Sequence, residues 1–376
     1  MAYTRVPKPE PSPLELEELP MSEDLIKEIL GMSRDVEVDV PEPVPEPIPE
    51  PEETVSVVLT PSTEDLGDGK SVAYKPFEEV FGWEPKIPHL VAVYEGYEHE
   101  EPMEGYIIHK AIVESVSLCD NNGLKANMTG PTGCGKTQLA EWYAAKCGRP
   151  FMRISHTEAF DKTEVFGRMD ITEGETVFTL GVLPQSFDTP FFVLLDELTL
   201  APAGALMVYG TLLDRRHLLL PEMKTGGMKP LEPCKGWSVI AADNTKGNGD
   251  GMDRYISSNV QDSRFLNRFD VMLDMDYLSE DLEKDFIQRH NTRLTSTEVG
   301  QLALVSKLLH TGVKDSTIST DFSPRNLMTI CKLVNAGMTM ANAFHINYLS
   351  RVVESEVQDI RETYRSVTGI ELPNGL

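Results

Sequence analysis

Eight consecutive residues, Gly130-Pro131-Thr132-Gly133-Cys134-Gly135-Lys136-Thr137, constrain the fold more than any other stretch of the chain. Glycines 130, 133 and 135 let the backbone turn its N–H groups inward. The helix that must follow adds its own unpaired N–H groups, so the segment reads as a nest for the β- and γ-phosphates of a nucleotide. Lys136 contributes a mobile positive charge, and Thr137 the hydroxyl that in such loops ligates Mg²⁺ beside phosphate oxygens. A cradle of this kind needs a strand before it and a helix after it. The pattern supplies both, a strand over 124–129 and an amphipathic helix over 136–147.

The same rhythm continues on either side. A helix is expected over 107–118 and a second strand over 151–155. Polar and apolar residues alternate over 168–180 around Glu173-Gly174-Glu175, the pattern of an inserted β-hairpin. The run 191–195 is continuously apolar, as a parallel strand buried on both faces must be. A helix over 199–214 follows, then strands over 237–242 and 270–274. Beyond Ser279 only helical patterns remain, at 280–291, 296–310 and an interrupted stretch over 323–366. The expected fold class is α/β: a parallel sheet flanked by helices, with inserted hairpins and a C-terminal helical lid.

Asp196-Glu197 ends the apolar run, which sets two carboxylates at the carboxyl edge of a parallel sheet, where open α/β sheets bind their ligands. Asp196 suits the Mg²⁺ shell, and Glu197 suits orienting and polarising an attacking water. Asn244, after the strand over 237–242, is placed either to hold that water or touch the γ-phosphate, or simply to open a turn. The loop from Gly247 to Asp253 looks superficially like a calcium loop, but Thr245 and Arg254 stand where oxygen ligands are needed. Three arginines complete the set. Arg268, with Arg264 as the alternative, lies just before the last strand, a position that suits a side chain projecting into a neighbour's site to stabilise transition-state charge. Arg325 sits in the first turn of a helix opened by Ser323-Pro324, a position that suits a side chain reaching the γ-phosphate from the lid.

Charge excludes some partners. The chain has 60 acidic and 34 basic residues, a formal charge of -26, which disfavours a surface that tracks phosphate backbones, so nucleic acid is not the expected partner. Residues 1–105 hold 26 Asp and Glu against 7 Lys and Arg. Residues 1–62 carry 12 of the 26 prolines, so this stretch is expected to be an extended acidic tether. Within it the leucine and isoleucine spacing over 14–30 fits a short docking helix or an unpartnered one. No window is long and apolar enough to span a membrane, and five cysteines in an odd set without zinc spacing fit a reduced, cytoplasmic setting. The expected domains are a disordered acidic extension over 1–73, a lead-in segment over 74–104, the α/β nucleotide-binding domain over 105–278 and the lid over 279–376.

The ordered series from the phosphate loop to Arg325 resembles the AAA+ ATPases, and within them the MoxR branch, including the cobaltochelatase ATPase subunit. The resemblance covers residues 77–345 and rests on Gly181-Val182-Leu183-Pro184 closing the hairpin, on Ala241-Ala242-Asp243-Asn244-Thr245, on Ser323-Pro324-Arg325, and on the segment from Val80 to Pro88. It implies Walker A roles for Lys136 and Thr137, Walker B roles for Asp196 and Glu197, sensor roles for Asn244 and Arg325, and the finger role for Arg268. It further implies ATP and Mg²⁺ as cofactors, assembly into a ring, usually a hexamer, and a von Willebrand A-type protein partner. The acidic extension and the Asp196-Glu197-Leu198-Thr199 sequence depart from the chelatase pattern and count against tetrapyrrole chelation. His109, His156, His217, His290 and His345 form no ligand spacing. The leading expectation is a ring-forming ATPase that remodels a protein partner through the hairpin over 168–180 and the loop over 221–233, which as plain surface hairpins would do neither. A chelatase motor subunit, a nucleic-acid translocase sharing the pattern at 266–270, and a non-hydrolysing scaffold are the alternatives.

Overall fold

The computed structural model describes residues 60–103, 106–157, 160–222, 227–244 and 263–375. The acidic tether up to residue 59, the helix expected over 14–30 and the loop from Gly247 to Asp253 lie outside these residues. In chain order the strands are β1 (Ser62–Gly67), β2 (Lys70–Pro76), β3 (Leu90–Glu95), β4 (Ala126–Thr129), β5 (Phe151–Ser155), β6 (Gly167–Thr172), β7 (Glu175–Leu180), β8 (Phe192–Asp196), β9 (Leu218–Glu222), β10 (Gly227–Leu231), β11 (Ser238–Asp243) and β12 (Val271–Asp274). The helices are α1 (Phe77–Phe81), α2 (Lys110–Asn121), α3 (Lys136–Lys146), α4 (Lys162–Phe166), α5 (Val182–Gln185), α6 (Ala203–Arg215), α7 (Ser263–Leu266), α8 (Glu280–His290), α9 (Ser296–Lys314), α10 (Pro324–Asn335), α11 (Met340–Asn347) and α12 (Val357–Thr368).

Five parallel strands form the central sheet in the order β12-β4-β11-β8-β5. All residues of β4 and β8 are buried, because helices cover both faces of an all-parallel sheet and leave no side to solvent. On one face Met128 and Leu194 meet Leu139 and Tyr143 of α3 and Val116 of α2. On the other, Val193 and Leu195 meet Ala205, Tyr209 and Leu212 of α6, with Phe187 and Trp237 beside them. The order brings the carboxyl ends of β4, β11 and β8 side by side, Thr129 opposite Asp243 and Ala242 opposite Asp196, and so creates the crevice typical of open α/β sheets.

Two expectations need correction. Residues 62–73, expected to belong to the extension, carry strands: β1 and β2 pair around a Gly67-Asp68-Gly69 turn in which all three residues have positive φ, and β3 completes an antiparallel sheet. Every residue of β1 is exposed, so no apolar alternation marks it as a strand. Helix α3, expected to be amphipathic, is not: Lys136, Leu139, Ala140, Trp142, Tyr143, Ala144 and Ala145 are all buried. Its outer side is covered by the lead-in segment, whose Phe81 stacks on Tyr143 at 5.7 Å and lies 5.8 Å from Trp142.

Helix starts shift for local reasons. α6 begins at Ala203 rather than 199, because Leu198–Leu200 form a 3₁₀ turn and Pro202 then provides the N-cap position. The patterns over 280–291 and 296–310 become α8 and a longer α9, the latter opened by a Thr295–Glu298 capping box. The stretch over 323–366 divides into α10, α11 and α12. Around them Phe286, Leu302, Leu327, Phe344 and Tyr364 build a separate lid core, which also takes in Ile107 from the lead to α2.

Candidate functional site

The phosphate loop joins β4 to α3 as its sequence demands. Gly135, at φ 100°, occupies the N-cap position of α3, so the helix's first N–H groups face the loop. Gly133, at φ 81°, adopts a conformation that side chains resist, and a Cβ there would lie 2.5 Å from Ser323 Cβ. The loop therefore touches the first turn of the lid helix α10. Lys136 is buried, and its Nζ donates to Gly130 O at 2.7 Å, to Pro131 O at 3.1 Å and to Asn244 Oδ1 at 3.0 Å. Cys134 Sγ is 3.8 Å from the same Nζ. Burial raises the Cys134 thiol's pKa, with Lys136 opposing, so the thiol is a protonated core group rather than a nucleophile.

At the end of β8, Asp196 is buried. Its Oδ2 accepts Thr137 Oγ1 at 2.9 Å and Arg153 Nε at 2.7 Å, and its Oδ1 accepts the Glu197 N–H at 3.1 Å. Thr137 and Asp196 thus offer hard oxygen donors side by side, the donor type that Mg²⁺ takes. His156 pins the strand end: its Nδ1 donates to Asp196 O at 2.7 Å, and its Nε2 accepts Tyr209 Oη at 2.9 Å. Burial lowers the pKa of His156, so the ring is neutral. Glu197 stands in the left-handed region, φ 55° and ψ 43°, a strained conformation for a non-glycine residue of the kind that collects at functional sites.

One cleft between sheet edge and lid is lined by Thr132, Gly133, Cys134, Gly135, Lys136, Thr137, Asp196, Glu197, Asn244 and Arg325. The sequence-derived residues therefore meet, Gly130 and Pro131 closing the loop behind Lys136. Arg268 is placed elsewhere. Its Nη1 donates to Gly210 O at 3.1 Å and to Asp214, both on α6. Arg264 lies on the short helix α7 before it.

Several site residues escape sequence reasoning. Arg153 is one; the apolar wall of Met103, Tyr106, Ile107, Leu278, Phe286 and Met328 is another. Behind the cleft lining, at the end of β11, Asp243 Oδ1 accepts the Thr199 N–H at 2.8 Å and its Oδ2 is buried without a partner among the described residues. Burial pushes Asp243 up to about 6, against the opposing bonds from Thr199 and the charge of Lys136. The period-3.6 and period-2 patterns carry no mark of such groups, whose partners are distant in sequence.

The model of the AAA domain (dynein-related subfamily) matches residues 127–269, from β4 through Arg268. The protein NorQ of Paracoccus denitrificans is 27% identical over 222 residues, 59% of this chain and 77% of NorQ. The aerobic cobaltochelatase subunit CobS of Sinorhizobium is 23% identical over 255 residues, 65% of this chain and 75% of CobS. The chain is an ATPase with an AAA domain, similar to AAA+ ATPases of the MoxR family. Midasin of Dictyostelium discoideum is 32% identical over 184 residues, which is 48% of this AAA+ chain and 3% of midasin. The matched part of the ATPase spans the phosphate loop, Asp196, Glu197, Asn244 and Arg268, all within 127–269. The lid with Arg325 follows it. No helix among its described residues is long and apolar enough to cross a membrane.

Proposed function

We propose that the protein binds Mg²⁺-ATP in the cleft between sheet and lid and hydrolyses it as a ring, usually hexameric in this family, to remodel a protein partner. The observation that carries this reading is the convergence of Lys136, Thr137, Asp196, Glu197 and Asn244 on one cleft, while Arg268 is held away from it on α6. Mg²⁺ held by Thr137 and Asp196 would neutralise charge developing on the phosphate oxygens. The loop N–H groups and Lys136 position the phosphates. Glu197 orients the attacking water and accepts its proton, Asn244 fixes that water's direction, and Arg325 reaches the γ-phosphate from the lid. Arg268, with Arg264 as the alternative, completes the site of an adjoining subunit. A von Willebrand A-type partner, met by the β6–β7 and β9–β10 hairpins, fits the resemblance, and exposed Ile171 and Met228 on those hairpins suit a protein contact.

The experiment is a mixing test. Lys136→Ala removes nucleotide binding and keeps Arg268, whereas Arg268→Ala keeps the site and removes the finger. Each variant alone loses ATPase activity by about 10³-fold, and mixing the two restores a substantial fraction if the finger acts between subunits. Mixtures as inactive as the separate variants would refute completion of the site in trans. The similarity to CobS favours one second reading, a chelatase motor subunit, which predicts stimulation by a matched chelatase partner.

A further inference from the structure

The Walker B carboxylate has a cationic partner that the loop motifs do not supply. Arg153 Nε meets Asp196 Oδ2 at 2.7 Å, the oxygen that also accepts Thr137 Oγ1. The Asp196 side chain is 6% exposed and that of Arg153 45% exposed, so a buried carboxylate meets a guanidinium lying at the cleft mouth. The sheet register explains the reach. β5 and β8 are parallel neighbours with Ser155 opposite Asp196, and Arg153, two residues earlier, shares Ser155's face. Diagonal neighbours of this kind stand about 7–8 Å apart, within range of a long side chain. Of the other cations lining the cleft, Lys136 is occupied by Gly130 O, Pro131 O and Asn244 Oδ1, and Arg325 stands on the lid and makes no hydrogen bond to Asp196. Arg153 therefore carries the compensation of the buried Asp196 charge, through the short, charge-assisted kind of hydrogen bond that is roughly twice as strong as a neutral one.

We propose that Arg153 is a positioning residue of the nucleotide site whose guanidinium competes with the divalent cation for Asp196 Oδ2, so that metal-dependent nucleotide loading requires the Arg153–Asp196 ion pair to open. The inference rests on the reading of Asp196 as part of the metal shell. Asp196 Oδ2 already accepts from both Thr137 and Arg153, so a cation that binds this oxygen displaces one of them, and the exposed guanidinium is the partner free to move. Arg153 thereby raises the Mg²⁺ concentration at which nucleotide is held, and it keeps Asp196 in place without occupying the phosphate nest.

The test titrates Mg²⁺ against the full chain with a fluorescent methylanthraniloyl-ADP as probe, and repeats the binding in EDTA. Arg153→Gln lowers the half-saturating Mg²⁺ concentration about three- to fivefold, the worth of a partly exposed ion pair, and leaves affinity in EDTA within about twofold. Arg153→Lys falls between glutamine and wild type, since an ammonium pairs with Asp196 less directionally. A half-saturation equal to or above wild type in Arg153→Gln overturns the inference, and so does a parallel loss of affinity in EDTA, which marks a merely structural role. Asp196→Asn separates the two readings. If it abolishes the Mg²⁺ dependence while Arg153→Gln titrates as wild type, only the competition fails; if it leaves the dependence intact, the metal reading of Asp196 fails with it.

Discussion

In the lid, Glu283 accepts Ser306 Oγ at 2.8 Å, and its second oxygen is buried without a partner among the described residues. Burial pushes its carboxyl up to about 8 from the ordinary 4.5, with Ser306 opposing and Glu280 adding. His310, whose Nδ1 lies 3.7 Å away, is pushed down to about 4 by burial. The contact is therefore between neutral groups near pH 7 rather than an ion pair. Between pH 4.5 and 8 the folded chain keeps a proton on Glu283 that the unfolded chain has lost. The stability this group contributes is full below pH 4.5 and falls as pH rises toward 8. Glu283→Gln keeps the shape without the charge, so its melting temperature should gain on wild type steadily across that interval, by about 5 °C at the upper end. Melting curves at several pH values decide this; a difference that stays flat with pH contradicts it.

The contact between the phosphate loop and α10 is a property of elements. Ser323 begins α10 with a capping box, its backbone N–H and hydroxyl donating to Asn326 Oδ1 at 2.9 and 2.8 Å, so it cannot retreat without fraying the helix. Gly133→Ala adds a Cβ against Ser323 Cβ at a positive φ. It should weaken nucleotide binding about tenfold, a loss equivalent to roughly 1.4 kcal/mol and within the range for backbone strain. Equilibrium binding of the methylanthraniloyl-ADP probe measures it, and unchanged affinity would mean that loop and lid move independently.

Elements also explain what the sequence could disclose. β8 was legible because a strand buried on both faces must be apolar at every position, and Asp196 and Glu197 because they end that run. The hairpin β6–β7 was legible from its alternation and its Glu173-Gly174 turn, both with positive φ. β1 was not, since a strand exposed at all six positions has only its pairing with β2 to hold it. α3 was misread because burial on the lead-in side depends on Phe81, some 60 residues upstream. Arg153 and Asp243 are polar residues whose partners lie 43 and 44 residues away, and only the strand order brings each pair together.

On the scale of the molecule, Arg149 fastens the floor of the sheet. Fully buried, it donates to Asp120 Oδ2 at 2.7 Å, Pro190 O at 3.0 Å, Phe191 O at 3.0 Å, Ser238 Oγ at 2.9 Å and Gly236 O, thereby joining α2 to the entrances of β8 and β11. Arg149→Met would leave Asp120 and several carbonyls unpaired. It should cost about 3–5 kcal/mol of unfolding free energy, read by urea denaturation; a loss under about 1 kcal/mol would mean that water replaces the guanidinium.

Ile107 precedes α2 in the chain yet is packed in the lid core with Phe286, Leu302, Leu327 and Phe344. At the usual pace of translation, about 5–20 residues per second, the roughly 180 residues between Ile107 and the first of those partners take about 10–40 s to emerge. A nascent chain therefore exposes the apolar approach to its phosphate loop throughout that interval. A ribosome-bound chain arrested before residue 280 should accordingly be a better chaperone substrate than one arrested beyond residue 372, which makes the lid's late arrival a matter of biosynthesis as well as of architecture.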